Sequence, residues 1–454
     1  MIKPRLPRHP LSLVGAILAT LGGLLFLTFF IGEMLGLHAN PYMGIVFFLI
    51  FPSIFVFGLI LIPIGAWLYR RRHHAKPGAA GPWPRLDLND PRQRRWTFFV
   101  VIATLVNVVI VSLAAYSGVE YMDSVQFCGQ VCHSVMEPEF AAFQDGPHSR
   151  VGCVQCHIGP GAPWFVRSKL SGARQMFAVA FNTHSRPIPS PVHNLRPARE
   201  TCEQCHWPEK FHGDKVRVIR EYAEDEANTE SVTTMDVHVG GGSERLAIAA
   251  GIHWHMNVAN EIEYIATDDK RQVIPWVRLK DRLGNVREYQ VDGVTPEDLA
   301  KGERRTLDCV DCHNRPSHPF DPTPEKAVDR KLSTGEMPRT LPFVRREAVA
   351  ALKEGYATQP AGLDAIAARL REFYRTNYSD VYMGRRQEVE RAVSAAQLAY
   401  RRNIFPSMNV TWGTYPNNIG HMDFPGCFRC HDDSHKTKDG KTIGQDCELC
   451  HKIR

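Results

Sequence analysis

Residues Gln126–His157 read QFCGQVCHSVMEPEFAAFQDGPHSRVGCVQCH, and this stretch decides how the chain is understood. It holds two cysteine pairs, Cys128 with Cys132 and Cys153 with Cys156, each followed directly by a histidine, His133 and His157. The arrangement returns four times. CEQCH carries Cys202, Cys205 and His206, and CVDCH carries Cys309, Cys312 and His313. CFRCH carries Cys427, Cys430 and His431, and CELCH carries Cys447, Cys450 and His451. Together the six stretches use all 12 cysteines of the 454-residue chain.

Cys-x-x-Cys-His is the pattern of c-type haem attachment. Cysteines three apart on a helical turn face the same way, so both sulfurs reach the haem vinyl groups while the next imidazole reaches the iron. That makes His157, His206, His313, His431 and His451 the expected proximal ligands. Cys-x-x-Cys is also zinc-ribbon spacing, but zinc does not account for a histidine after every pair. The first motif, CGQVCH, has one residue more between its cysteines. It reads either as a sixth haem site, with His133 or Met136 on the iron, or as a disulfide between Cys128 and Cys132.

Working outward, the segments Leu11–Gly32, Met43–Tyr69 and Thr97–Tyr116 are apolar and long enough to cross a hydrocarbon core of about 30 Å as helices. The basic start, Lys3, Arg5 and Arg8, would also suit a cleaved signal peptide, but a second apolar segment follows closely. Between the second and third segments lie Arg70, Arg71, Arg72, Lys76, Arg85, Arg92, Arg94 and Arg95, whereas Leu37–Pro41 has no Lys or Arg. The basic connection stays in the cytoplasm, so everything after Tyr116 is expected in the periplasm of a bacterial inner membrane. The net charge of +6 is then largely a juxtamembrane feature, and no nucleic-acid module is present.

The expected architecture is mostly α: three N-terminal transmembrane helices, then a haem-packed, loop-rich multihaem cytochrome c domain with a small antiparallel β insertion. Residues 1–95 form a transmembrane hairpin with its basic loop, and 96–119 a third anchor helix. Residues 120–225 form a haem domain with the first three motifs, 226–300 the β-rich insertion, and 301–454 a C-terminal haem domain. The strand-like alternation of IEYIATD, VIPWVRL and VREYQVD marks the sheet. Helical periodicity returns over Val344–Tyr378 and Arg386–Arg402.

The stretches FCGQVCHSVMEPEF, HSRVGCVQCHIGPGAPWFVRSKLSGARQMF and RPARETCEQCHWPEKF resemble the NapC/NirT family of membrane quinol dehydrogenases, over about a fifth of the chain. The whole chain is similar to the ImcH-type inner-membrane cytochromes of metal-reducing bacteria. NapC/NirT proteins typically have one span, four haems and a Met two residues after the first haem's histidine. Here there are three apolar segments, six motifs, and Met136 three residues after His133. The resemblance implies that His148 and His184 are distal haem ligands, and that Lys169, on the helix expected from Trp164 to Phe181, lines a quinol pocket where the first haem meets the membrane. The acidic residue expected further along that helix is replaced in the region of Gln175 and Met176, which leaves Glu137 or Glu139 to accept protons. The alternative role for Lys169, with Arg167 and Arg174, is to anchor an interfacial helix to anionic headgroups.

The remaining distal ligands come from His193, His212, His238, His253, His255, His318, His421 and His435, more candidates than positions. His253 and His255 lie two apart in GIHWHMN, on one face if the segment is a strand. His318 and His435 follow a proximal histidine so closely that they are expected to serve neighbouring haems. Three functions fit. The first is a quinol dehydrogenase that takes electrons from menaquinol and passes them to a periplasmic cytochrome or reductase, as in anaerobic respiration. The second is a terminal reductase with an open haem iron, although none of the six motifs ends in the lysine typical of penta-haem nitrite reductases. The third is a membrane-tethered electron carrier without its own quinone site.

Overall fold

The computed structural model describes residues 9–35, 43, 45–73, 87–192, 195–207, 210–211, 213–243, 248–256, 260–281 and 283–454. These fall into two compact units, Met1–His133 and Ser134–Arg454.

The first unit contains three helices long and apolar enough to cross a membrane: α1 (Pro10–Met34), α2 (Phe51–His73), which continues a π turn at Val46–Ile50, and α3 (Pro91–Met122). Small residues bring α1 and α2 together. A Cβ on Gly58 would lie 2.5 Å from the Ala19 amide nitrogen and 2.7 Å from the Gly15 carbonyl oxygen. Ser12 Oγ donates to the Ile62 carbonyl at 3.0 Å, so backbone approach and a polar bond replace the hydrophobic drive that lipid cannot supply. Phe26, Phe47, Phe48, Phe55, Ile110 and Ala114 join all three helices in one cluster. Leu13, Ile17, Leu24, Phe98, Phe99 and Leu105 point outward, as side chains facing acyl tails do. Helix α3 outruns the expected Thr97–Tyr116 at both ends. Asp90 caps it, accepting from the Arg92 amide at 2.9 Å with Pro91 in the first turn, and the helix runs on to Met122.

In the second unit, α4 (His133–Gln144), α5 (Cys153–His157), α6 (Ala162–Ala180) and α7 (Ala198–Cys202) are joined by loops. Strands β1 (Asp214–Tyr222), β2 (Glu230–His238), β3 (Gly241–Ser243), β4 (Ile248–Ala250), β5 (Glu261–Ala266), β6 (Trp276–Lys280), β7 (Val286–Val291) and β8 (Glu303–Thr306) follow, with α8 (Pro296–Lys301) before β8. After α9 (Cys309–Cys312) come α10 (Pro324–Ser333), α11 (Val344–Lys353), α12 (Gln359–Asn377), α13 (Ser379–Gly384) and α14 (Arg386–Asn403). The short strands β9 (His435–Lys436) and β10 (His451–Ile453) complete the order.

The expected antiparallel sheet exists, with strand order β8-β5-β6-β7-β9. Tyr264, Ile274 and Val277 are buried beneath it. A second antiparallel sheet, β1-β2-β10, starts before the expected insertion and takes its third strand from the last haem motif, with His451 opposite Val237. The helices α10 to α14 share a continuous apolar core that includes Val328, Leu341, Ala348, Ile366, Leu370, Val389 and Ala396.

Candidate haem sites

Each Cys-x-x-Cys-His stretch forms a tight turn. The motif at 153 is α5, the motif at 309 is α9, and those at 427 and 447 contain 3-10 turns at Gly426–Arg429 and Cys447–Leu449. The motif at 202 departs from this pattern, because only Cys202 belongs to α7 and Cys205 stands in the turn that follows. The Cys202 carbonyl accepts from the Cys205 amide at 3.1 Å and from the His206 amide at 2.8 Å, so the turn still holds both cysteines and the histidine together. Cys205 is exposed, as are Cys156 and Cys447. Asp308 and Asp311 form a reciprocal cap on α9, which fixes the Cys309–Cys312 turn from its first residue.

In the first motif the extra residue is absorbed by a π turn over Phe127–Val131. A π turn takes one residue more than an α turn, and here Cys128 lies within it while Cys132 is the residue that ends it. Among the described residues no disulfide joins Cys128 to Cys132.

The histidines converge in twos. The ring centroids of His157 and His318 are 6.2 Å apart, those of His206 and His148 6.0 Å, and those of His313 and His253 6.3 Å. His431 lies 5.8 Å from His255, and His451 6.1 Å from His421. Each pair thus joins one motif histidine to one from elsewhere, and every Cys-x-x-Cys-His motif has its own partner. An imidazole nitrogen binds a first-row metal at about 2 Å with the ring centre about 1 Å beyond, so two imidazoles across one iron place their centroids about 6 Å apart. The spacing of all five pairs fits an iron between two histidines. Among the described residues no three His, Cys, Asp or Glu side chains gather as a zinc site requires.

The outer nitrogens of these rings support the same fit. His148 Nδ1 donates to the Pro316 carbonyl at 3.1 Å, His253 Nδ1 to Val239 at 3.0 Å, His255 Nδ1 to Ile252 at 2.7 Å, and His318 Nδ1 to Glu139 at 2.9 Å. His431 Nδ1 donates to the Gly444 carbonyl at 2.9 Å. A carbonyl can only accept, so these rings carry their proton on Nδ1 and keep Nε2 for a metal, as ligating histidines commonly do. Burial is the first cause that holds His157, His255, His313 and His318 below the usual histidine range, which favours the neutral, metal-binding form.

The other candidates differ. His435 is buried with both ring nitrogens in use, Nδ1 to Asp432 at 2.9 Å and Nε2 to the Ile274 carbonyl at 2.6 Å, which leaves none for a metal. His238 Nδ1 pairs with Asp214 at 2.9 Å across β1 and β2. Both ring nitrogens of His184 are buried without a hydrogen-bond partner. His193 and His212 lie outside the described residues. Met136 sits within α4, one turn on from His133.

Helix α6 covers the expected segment except its last residue, Phe181, which follows the helix end, and none of its side chains is buried. Lys169 Nζ lies 4.8 Å from the centre of the Phe165 ring, one turn back. Glu137 is exposed on α4. Glu139, read from sequence as a proton acceptor, is instead 8% exposed and ion-paired to Arg315, with Oε2 to Nη2 at 2.8 Å. Sequence reasoning missed Arg315, because nothing in HNRPSH marks it as the partner of a glutamate so far away in the chain.

These features define a membrane-associated multihaem cytochrome c, and comparison with known proteins agrees. Residues 90–187 match the model of the NapC/NirT cytochrome c family, N-terminal region. The chain is 44% identical over 448 residues, 98% of its length and 88% of the relative's, to "Cytochrome c-type protein ImcH" of Geobacter sulfurreducens. No solved structure matches it. The chain belongs to the family of ImcH-type cytochromes c, whose cofactor is covalently bound haem c.

Proposed function

We propose that this chain is a quinol dehydrogenase, taking two electrons and two protons from menaquinol at the inner membrane and passing the electrons singly to a periplasmic cytochrome or reductase. Bound haem c supplies one-electron redox chemistry, and six such groups are attached through the six cysteine motifs. The observation that carries the reading is the set of five histidine pairs. An iron with two histidine ligands has no open position for a small substrate, so it suits electron transfer and not terminal reduction. In this account the ligand pairs are His157 with His318, His206 with His148, His313 with His253, His431 with His255, and His451 with His421. The turn carrying His133 and Met136 supplies a ligand for the first motif's haem. His184, with its orphaned ring nitrogens, is a further axial ligand, and His435 is structural.

Quinol is held at α6. A hydroquinone needs a polar group for its oxygen and an apolar surface for its ring. Lys169 provides the first, while the exposed Val166, Leu170, Met176 and Phe177 provide the second and rest on the bilayer. Glu137, the solvent-facing carboxylate of α4, takes up protons. The exposed Arg92, Arg94 and Arg95 keep the start of α3 on the cytoplasmic side and the haem region in the periplasm.

The test is reduction by menadiol of the purified protein in vesicles, followed optically, with Lys169→Met beside the wild type. We expect menadiol to reduce the wild-type haems, and the variant to be slowed while its reduction by dithionite and its haem content stay the same. Equal menadiol kinetics in the two proteins would leave Lys169 only an interfacial anchor. No reduction of the wild type would refute the dehydrogenase reading.

A further inference from the structure

His318, which faces the motif histidine His157, stands in a loop outside any helix or strand, five residues after His313. A ligand there keeps its place only if something holds the loop. Arg315 Nε donates to the His318 carbonyl at 3.0 Å, and Arg315 Nη2 donates to both Glu139 carboxylate oxygens, at 3.1 and 2.8 Å. The Glu139 carbonyl in turn accepts from His318 Nδ1 at 2.9 Å, and its carboxylate lies 3.4 Å from that nitrogen. The guanidinium stacks 4.3 Å from the Tyr415 ring centre and 5.1 Å from that of Phe320. Both side chains of the ion pair are about nine-tenths buried.

A buried ion pair is a costly way to hold a loop unless geometry is what it secures, since apolar residues of like volume stabilise as well. We infer that Glu139 and Arg315 are positioning residues that lock His318 opposite His157 as the second axial ligand of the haem at Cys153–His157. The inference rests on the ligand pairing proposed above. It gives Glu139 a task other than proton transfer and explains why the arginine grips both the ligand's own carbonyl and the carboxylate. A lysine offers its donors from one nitrogen, whereas the guanidinium meets the carbonyl with Nε and the carboxylate with Nη2.

The test compares His318→Ala, the double variant E139Q/R315M, and R315K in the full-length holoprotein. The readouts are the high-spin ferric signal in electron paramagnetic resonance, carbon monoxide binding after reduction, and haem content by pyridine haemochrome. We expect His318→Ala to expose one iron fully, seen as one haem's worth of high-spin signal and carbon monoxide binding. E139Q/R315M should give the same signal in part, at unchanged haem content. Should the double variant fail to mature, R315K carries the same test and should also open that iron in part. If His318→Ala stays low-spin, the ligand pairing is wrong. If it opens an iron but a matured double variant, or R315K in its place, remains fully low-spin, the pairing stands and the positioning role is refuted.

Discussion

The cysteine-rich region and the helical region of the second unit are built on different principles. Between Gly146 and Gly213 the one buried apolar side chain among the described residues is Ala198, and from Asn417 onward there is none. Over α10 to α14, by contrast, Val328, Leu341, Val344, Ala348, Ile366, Leu370, Val389 and Ala396 have no exposed surface at all. One region has a core made by its own chain, and the other sets motif histidines and their partners at spacings that suit an iron between them. A porphyrin fixed by two thioethers and two imidazoles can replace an apolar core, much as disulfides or metals do in small domains.

The sharpest break of this comparison is to withhold haem. Protein made without haem attachment should lose hydrogen-exchange protection across the cysteine-rich segments while α10 to α14 keep theirs. Equal loss in both regions would mean that the helices do not fold on their own core. A smaller effect comes from within that core. Leu370→Ala should cost about 2–5 kcal/mol, read as an earlier urea transition in far-ultraviolet circular dichroism. The native Soret spectrum should not change, and a changed one would show that the haem sites depend on the helical packing. The smallest effect concerns Thr358, whose hydroxyl accepts from the Ala361 amide at 3.3 Å and caps α12. Thr358→Ala should cost about 1 kcal/mol in the same transition.

The parts legible in the sequence are those written in short periods. The apolar segments gave the three long helices of the first unit, and the alternation of IEYIATD, VIPWVRL and VREYQVD gave β5, β6 and β7. His253 and His255 would share one face if GIHWHMN were a strand, but Ile252–Met256 is a 3-10 turn. Its two histidines still face two different motif histidines, because the turn aims His253 at His313 and His255 at His431. What stayed hidden depends on segments far apart in the chain. His318 and His435 follow a motif histidine at nearly the same short spacing, yet the first faces His157 while the second is tied up by Asp432 and Ile274. Local sequence cannot separate them, since the difference is made by a sheet and a helix that arrive from elsewhere. Glu139 is a similar case: its solvation is decided by Arg315, not by its neighbours in α4.

The central claim is that five irons each sit between a motif histidine and one particular partner. Electron paramagnetic resonance of the fully oxidised holoprotein, quantified against a pyridine haemochrome count, tests it directly. The five Cys-x-x-Cys-His haems should all be low-spin ferric with two histidine ligands, leaving at most the haem at Cys128–Cys132 with another signature. High-spin signal equivalent to two or more haems would contradict the claim, because at least one of the five pairs would then have failed to close on its iron.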